Sequence, residues 1–423
     1  MASAQPGLTA DGAGAGAGDD GSGPLRSSSF RWYFAGRSIS LAGSAMSPVA
    51  LAFGVLALTG SAVWVSAVTS TAMVATVATM LFGGGIADRY RRSTVLCLAS
   101  LGAGLTQSGV AILLITHQHP ALLLPFAVGN GMFQGITTPV LRGIVSNLAT
   151  GRGLQQASSL LATAGNLARI LGPTSAGLLT ASAGGGWAIA ADAASFLLAA
   201  ACFARIAMPD PPKRVGGGPT MLSDLREGWT YFASQPWIWS VTLAFAIFNA
   251  TNRGIWLVLG PVIAFDTIGV TGWGLVLSAQ GIGALLASVV LVKVPLLQRP
   301  MRPALAAMAL AALPLILLGA GADAIWLAGA AFLAGAATEL FTVTWETVNY
   351  THISERLLSR VGAHDEFWSF VSFPLGQMSA PALAAAFGTA TVALSGGTVA
   401  ALAMLCVSLL PVFRRIEIHH GNR

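Results

Sequence analysis

Apolar residues run along this chain in blocks of about 20, each long enough to cross the hydrocarbon core of a bilayer as a helix. Short polar breaks separate them. The blocks cover roughly 32–58, 64–87, 93–115, 121–146, 155–181 and 186–206, then 237–265, 271–295, 302–319, 324–350, 362–388 and 391–413. Nothing resembles the ten-residue alternation of barrel strands, and in lipid a backbone that does not form a closed barrel must be helical. The pattern predicts an all-α membrane protein with twelve transmembrane helices.

One break is long. Residues 207–236 divide the helices six and six. The break starts with a linker rich in proline, glycine and charge, from Pro209 to Pro219. In the stretch after it, Leu222, Leu225, Trp229 and Phe232 recur at helical spacing opposite charged residues. This reads as a short amphipathic connector helix on the inner membrane surface. The expected organisation is a disordered tail of Ala, Gly, Ser and Asp over 1–29 and a six-helix bundle over 30–206. The linker over 207–236, a second bundle over 237–413 and a tail over 414–423 complete it.

Composition agrees. Of 423 residues 54% are hydrophobic and 9% charged, where a soluble domain carries roughly a quarter charged. The net charge of +6 is spread over short loops and so reads as topology, not as a nucleic-acid surface. All but four of the 22 Lys and Arg fall in the N-terminal segment, the even-to-odd turns, the middle loop or the C-terminal tail, or at span ends beside them. The odd-to-even turns hold His117, His119, Asp266 and Asp323 instead. Positive charge stays on the cytoplasmic side, so both termini are expected there. Cys97, Cys202 and Cys406 lie far apart within apolar blocks and read as small buried residues.

The four exceptions are Arg37, Arg142, Arg169 and Arg253; Asp192, Glu339 and Glu346 also fall within spans. Ionisable groups in a membrane are functional or pairing candidates by default. Glu339 and Glu346 are seven residues apart, two helical turns, and so share one face with Thr342 and Asn349. A carboxylate in such a cavity can take a proton from one side and release it to the other, which is the chemistry of proton-coupled transport. The other reading is a static pair with Arg253 or Arg142 that holds helices in register. Asn249, Asn252 and Arg253 form a polar patch in span 7 and, with Trp345, are candidate substrate contacts. Asp192 and Arg169 read as static pairing residues. In span 5, Gly172, Pro173 and Gly177 predict a bend and a close helix contact.

Between spans 2 and 3, Gly84-x-Ile-Ala-Asp88-Arg89-x-x-Arg92 resembles the loop signature of the major facilitator superfamily. There, Arg91 replaces a glycine and Ser93 a basic residue. The resemblance implies two bundles that rock about a central substrate site, with this loop as a conformational latch. Arg142 and the start of span 11 near Gly362 are the expected partners of Asp88, the latter through its helix dipole. Gly172-Pro173-Thr-Ser-Ala-Gly177, following Arg169, resembles the antiporter signature of span 5, with Ala176 in place of a glycine. From about residue 30 to 413 the chain is similar to the enterobactin-exporter-like, multidrug-efflux branch of bacterial facilitators. Arg37, Ala191-Asp192, Trp345-Glu346-Thr347 and Ser359-Arg360-Val361 running into Asp365 carry that match. The branch places an acid in span 1 after Leu41-Ala-Gly; here Ser44 follows, which shifts proton coupling onto span 10.

Together these features imply a monomeric secondary transporter in the bacterial cytoplasmic membrane that exports small amphipathic molecules (drugs, siderophores or secondary metabolites) in exchange for protons. A facilitator-type importer or uniporter and a non-transporting receptor on the same fold are the alternatives. Enzyme classes fit poorly. Lys213 and Lys293 are the two lysines, no phosphate loop precedes either, and no cofactor or metal motif is present.

Overall fold

The computed structural model describes residues 24–148, 151–207, 221–294, 296–414 and 416–417. Several side chains within these ranges, among them those of 81–89, Arg142, 221–225 and Arg356, lie outside the described set. The described residues are helical throughout, with no β-strand among them.

The first half runs α1 Ser28–Thr59, α2 Ala62–Arg89, α3 Arg92–Ile115, α4 Leu123–Leu148, α5 Gly151–Ala183 and α6 Gly185–Phe203. The amphipathic α7 spans Met221–Ser234. The second half runs α8 Pro236–Phe248, α9 Ile255–Asp266, α10 Gly269–Lys293, α11 Met301–Met308, α12 Leu313–Gly319 and α13 Ala324–His352. It ends with α14 Glu355–Phe370, α15 Ser372–Phe387 and α16 Thr389–Ser408. Ten stretches are long and apolar enough to cross a membrane; α8–α9, α11–α12 and α14–α15 each count as one. The remaining long helices, α4 and α5, have 26 and 33 residues.

Local chemistry sets the helix ends. Gly60 closes α1 with φ 61°, a left-handed cap that a Cβ disfavours, and its N–H returns to the Leu56 carbonyl. Pro236 opens α8, where its missing N–H costs nothing. The last apolar block was expected to run to 413, but α16 stops at Ser408, three residues short of Pro411, which cannot continue a helix.

Apolar burial does not drive helices together in lipid; close packing of small residues does. In the first half α2 lies on α4, α3 on α4 and α6, and α1 on α5 and α6. In the second, α10 lies along α13 and α12 along α16. Two long seams join the halves, α5 against α10 and α2 against α15, with α1 meeting α9. Pro173 cannot donate to the Arg169 carbonyl, and Gly281 of α10 packs there: a Cβ at Gly281 would come within 2.9 Å of that oxygen. Ser278 donates to the Ile170 carbonyl and bonds Thr174 at 2.6 Å. The stretch from Arg169 to Gly177 is thus a seal between halves.

Apolar clusters show where the halves meet. Val49, Phe53 and Ala176 of the first half pack with Ala264, Trp273 and Leu327 of the second. At the opposite end, the cluster around Phe30, Tyr33 and Phe203 stays in the first half, and that around Trp237, Met301 and Phe413 stays in the second. The halves are welded at the end formed by the C-terminus of α1 and the N-terminus of α13.

Helix α7 docks on the second half. Glu227 pairs with Arg360, Trp229 meets His364 edge-on at 5.6 Å, and Tyr231 donates to the His352 carbonyl at 3.3 Å. Phe232 is buried and Trp229 exposed. The three cysteines were expected to be buried; Cys97 and Cys202 are half-buried and Cys406 is exposed.

Candidate functional site

Two irregular turns face each other in the second half. Asn249–Gly254 forms a π-helical segment between α8 and α9, and the next-to-last span breaks at Val371 between α14 and α15. Such segments leave carbonyls without their regular helical donors, and each side supplies one to the other. The Asn249 Nδ2 donates to the Ser369 carbonyl at 2.8 Å; the Ser372 hydroxyl donates to the Ala246 carbonyl at 2.7 Å. Gly376 makes this approach possible, since a Cβ there would strike the Ala250 carbonyl. Irregular backbone survives in a membrane when buried in protein like this.

This geometry corrects one expectation. Asn249 and Asn252 are 1% and 5% exposed, so both face protein and not a substrate space. Asn249 is a helix tie. Arg253, in the same segment, is exposed and makes no hydrogen bond or ion pair among the described residues.

On α13, Glu346 and Thr342 are exposed and Glu339 is half-buried. Glu346 forms no ion pair with Arg253 or any other described residue. It lines a cavity of about 130 Å³ whose walls include Ile238 of α8, Trp345, Asn349 and Tyr350 of α13, and Val361 and Asp365 of α14. Asp365 is held in place: the Thr242 hydroxyl donates to its Oδ1 at 2.6 Å and the Trp345 Nε1 to its Oδ2 at 3.2 Å. Trp345 stacks with Phe341 at 6.1 Å and meets Trp237 edge-on at 5.6 Å. Its indole edge is therefore committed to Asp365, though the side chain still lines the cavity.

Asp365 was not among the candidate site residues. The signal was there, because Asp365 and Glu366 fall inside the apolar block 362–388 as charges within a span. The structure also begins this span earlier. Its helix starts at Glu355, so Gly362 lies two turns inside α14 and offers no helix N-terminus to Asp88. The side chains of Gly84, Asp88, Arg89 and Arg142 lie outside the described residues; Arg92 opens α3 and is half-buried.

In the first half, Asp192 is fully buried between α1, α3 and α6. The Gln107 Nε2 donates to its Oδ2 at 2.7 Å and to the Ser47 hydroxyl at 3.0 Å, while Oδ1 has no partner. Its partners are neutral. Arg169 is exposed and donates to Asn166 on its own helix. Among the described residues neither makes the static ion pair expected of it. Among the described residues no three His, Cys, Asp or Glu converge as a metal site.

Two helical halves sealed at one end, with charged side chains in a cavity between membrane helices, define a multi-pass membrane transporter for a small molecule. A family model described as Major Facilitator Superfamily matches residues 33–363, and the chain belongs to that family. It is a family of transporters, not enzymes. The chain is 26% identical over 217 residues to the enterobactin exporter EntS of Shigella boydii, covering 51% of each chain. It is 26% identical over 239 residues to that of Shigella flexneri, covering 56% of this chain and 55% of the relative. It thus spans about half the length of the curated relatives it matches. Among solved structures it shares the fold of the nucleoside transporter NupG at TM-score 0.71 and 12% identity, covering 90% of this chain and 99% of that one. A bacterial homologue of the human lysosomal transporter Spinster, inward-facing and unoccupied, superposes at TM-score 0.64 and 15% identity over 93% and 97% of the two chains.

Proposed function

We propose that this protein is a proton-coupled exporter of small amphipathic molecules, working by alternating access. In this reading α4 and α5 also cross the membrane. That makes twelve spans with both termini in the cytoplasm of a bacterial cell, in two bundles over 30–206 and 237–413 that act as a monomer. The observation that carries the reading is Glu346, an exposed carboxylate inside a membrane span with no cation partner among the described residues, lining a cavity at the end of the protein where the bundles share no apolar cluster. That end carries the basic loops, so the site faces inward. An unpaired acid that water reaches from one side and that rocking would expose to the other is suited to proton exchange.

Glu339, two turns along the same face, is the second candidate in the coupling path. Arg253 and Trp345 are the proposed substrate contacts, and the Gly84–Arg92 loop with Arg142 the proposed latch. Arg169, Pro173 and Gly177 meet α10 in the seam that joins the halves, and Gly172 packs on Ala45 of α1; an export signature there would control leakage. The relatives are enterobactin exporters, which makes siderophores the first compounds to test, beside drugs and dyes.

The test is flux into proteoliposomes under an imposed pH gradient, with enterobactin and ethidium as probes. Uptake into inside-out vesicles should follow an acidic lumen. Transport indifferent to the gradient, with Glu339→Gln and Glu346→Gln both silent, would leave a uniporter.

A further inference from the structure

A proline inside a helix deprives the carbonyl one turn before it of its donor. In α15 Pro381 does this to Gln377, and both residues are buried where α15 lies on α2. The missing donor comes from the other half of the protein. The Ser66 hydroxyl of α2 donates to the Gln377 carbonyl at 2.6 Å, in a contact buried on both sides. Ser66 differs in this from its neighbours. Thr69, Ser70, Thr76 and Thr79 each donate to a carbonyl of α2 itself, the ordinary local bond of a hydroxyl within a helix. The second seam has the same plan in weaker form. Pro173 frees the Arg169 carbonyl of α5, but the α10 residue against it is Gly281, which has no side-chain donor. Ser278, one turn earlier in α10, donates to the adjacent Ile170 carbonyl.

We propose that Ser66 is a clasp residue: its bond to the Gln377 carbonyl holds the halves together at the welded end, and exchange of that bond for water lets this end open. Position fits the role. Ser66 is in the second turn of α2, and Ala62 at the start of that helix packs in one cluster with Ala380 and Ala384 of α15. With the seam closed, Gln377 is 2% exposed and Ser66 is the donor its carbonyl has among the described residues. With the seam open, water serves the carbonyl, and the hydroxyl can turn to the Ala62 carbonyl as its neighbours on α2 do to theirs. The bond therefore counts in the closed form alone, and an interaction made in one of two states biases the equilibrium between them. Pro381 is what makes the clasp necessary, because a residue with an N–H there would satisfy the Gln377 carbonyl in both forms. The inference rests on alternating access and is independent of the direction of transport and of the coupling ion.

The experiment reads the width of the seam in the full chain in phosphatidylcholine nanodiscs. Cys97, Cys202 and Cys406 are replaced by serine, and nitroxide labels are placed at Val63→Cys and Phe387→Cys, exposed positions on α2 and α15 at the welded end. Distances between the labels are measured by pulsed dipolar electron paramagnetic resonance. Removing the donor of a buried carbonyl should raise the ratio of long to short distances in Ser66→Ala by about tenfold. In a Pro381→Ala background, where the Gln377 carbonyl regains a helical N–H, adding Ser66→Ala should leave the ratio unchanged. An equal rise in both backgrounds would mean that Ser66 acts through packing, and it overturns the clasp. So does a Ser66→Ala ratio equal to the parent's. Should Ser66→Ala not fold, recovery of folding in the double variant supports the clasp, and failure there too overturns it. Flux of ethidium and enterobactin in proteoliposomes keeps the two readings apart. Gradient-driven flux with an unchanged Ser66→Ala ratio sinks the clasp alone, and a tenfold rise without flux of either compound sinks the exporter reading alone.

Discussion

The Trp345 indole N–H donates to Asp365 Oδ2 across 3.2 Å and so ties α13 to α14 at the wall of a cavity that also holds Glu346. With Thr242 of α8 on the other oxygen, one carboxyl group gathers three membrane helices. Removing a single donor tests how far this arrangement matters. Trp345→Phe keeps the ring stacked on Phe341 but loses the N–H. It leaves Asp365 Oδ2 without its donor and so should cost about 1–3 kcal/mol of stability and lower ethidium flux, as read by thermal denaturation and proteoliposome transport of the same preparation.

Glu346 and Glu339 separate coupling from binding. Glu346→Gln should abolish uptake driven by a pH gradient yet preserve substrate counterflow at equal pH, because exchange without net proton movement needs no titrating acid. Counterflow lost together with driven uptake would assign Glu346 to substrate binding alone.

Asn249 is a test of structure against substrate contact. Asn249→Ala leaves the buried Ser369 carbonyl without its donor, which should cost about 1–3 kcal/mol of stability. Binding constants measured on the folded fraction should stay unchanged. A selective loss of ligand affinity would return Asn249 to the binding site.

Asp192 makes a graded prediction. Its Oδ1 has no partner and its Oδ2 accepts from Gln107. Asp192→Asn keeps the shape and an acceptor for Gln107, so thermal stability should match or exceed that of the parent. Asp192→Ala strands the Gln107 amide beside a void and should lose about 1–3 kcal/mol or more. A collapse of Asp192→Asn equal to that of Asp192→Ala would mean that the charge itself holds α1, α3 and α6 together.

Asp88 and Gly281 address the motion of the two halves. Asp88→Asn should cut transport while leaving ligand binding in place, as expected of a latch; equal losses of both would indicate misfolding. Gly281→Val places a branched side chain against the Arg169 carbonyl and should open the α5–α10 seam. The overpacking costs about 1–3 kcal/mol, and a fluorophore-loaded proteoliposome should leak where the parent does not.

Much of the fold was legible before any coordinates. Membrane-length apolar blocks set the helices closely: the third was expected at 93–115 and α3 runs Arg92–Ile115. That works because bilayer thickness, backbone hydrogen bonding and the cost of stray charge all act on short windows of sequence. The amphipathic α7 and the seam at Pro173 were readable for the same reason. What only the tertiary structure decided is which polar residues face one another. Asn249 and Arg253 belong to one polar patch in sequence, yet a π-helical segment turns the first into protein and leaves the second exposed. Asp365 stands 20 residues from Trp345 along the chain and within hydrogen-bond distance in space. Periodicity reports the face of a helix, but the neighbour that face meets depends on packing and on breaks such as Val371, and those are settled by the assembled bundle.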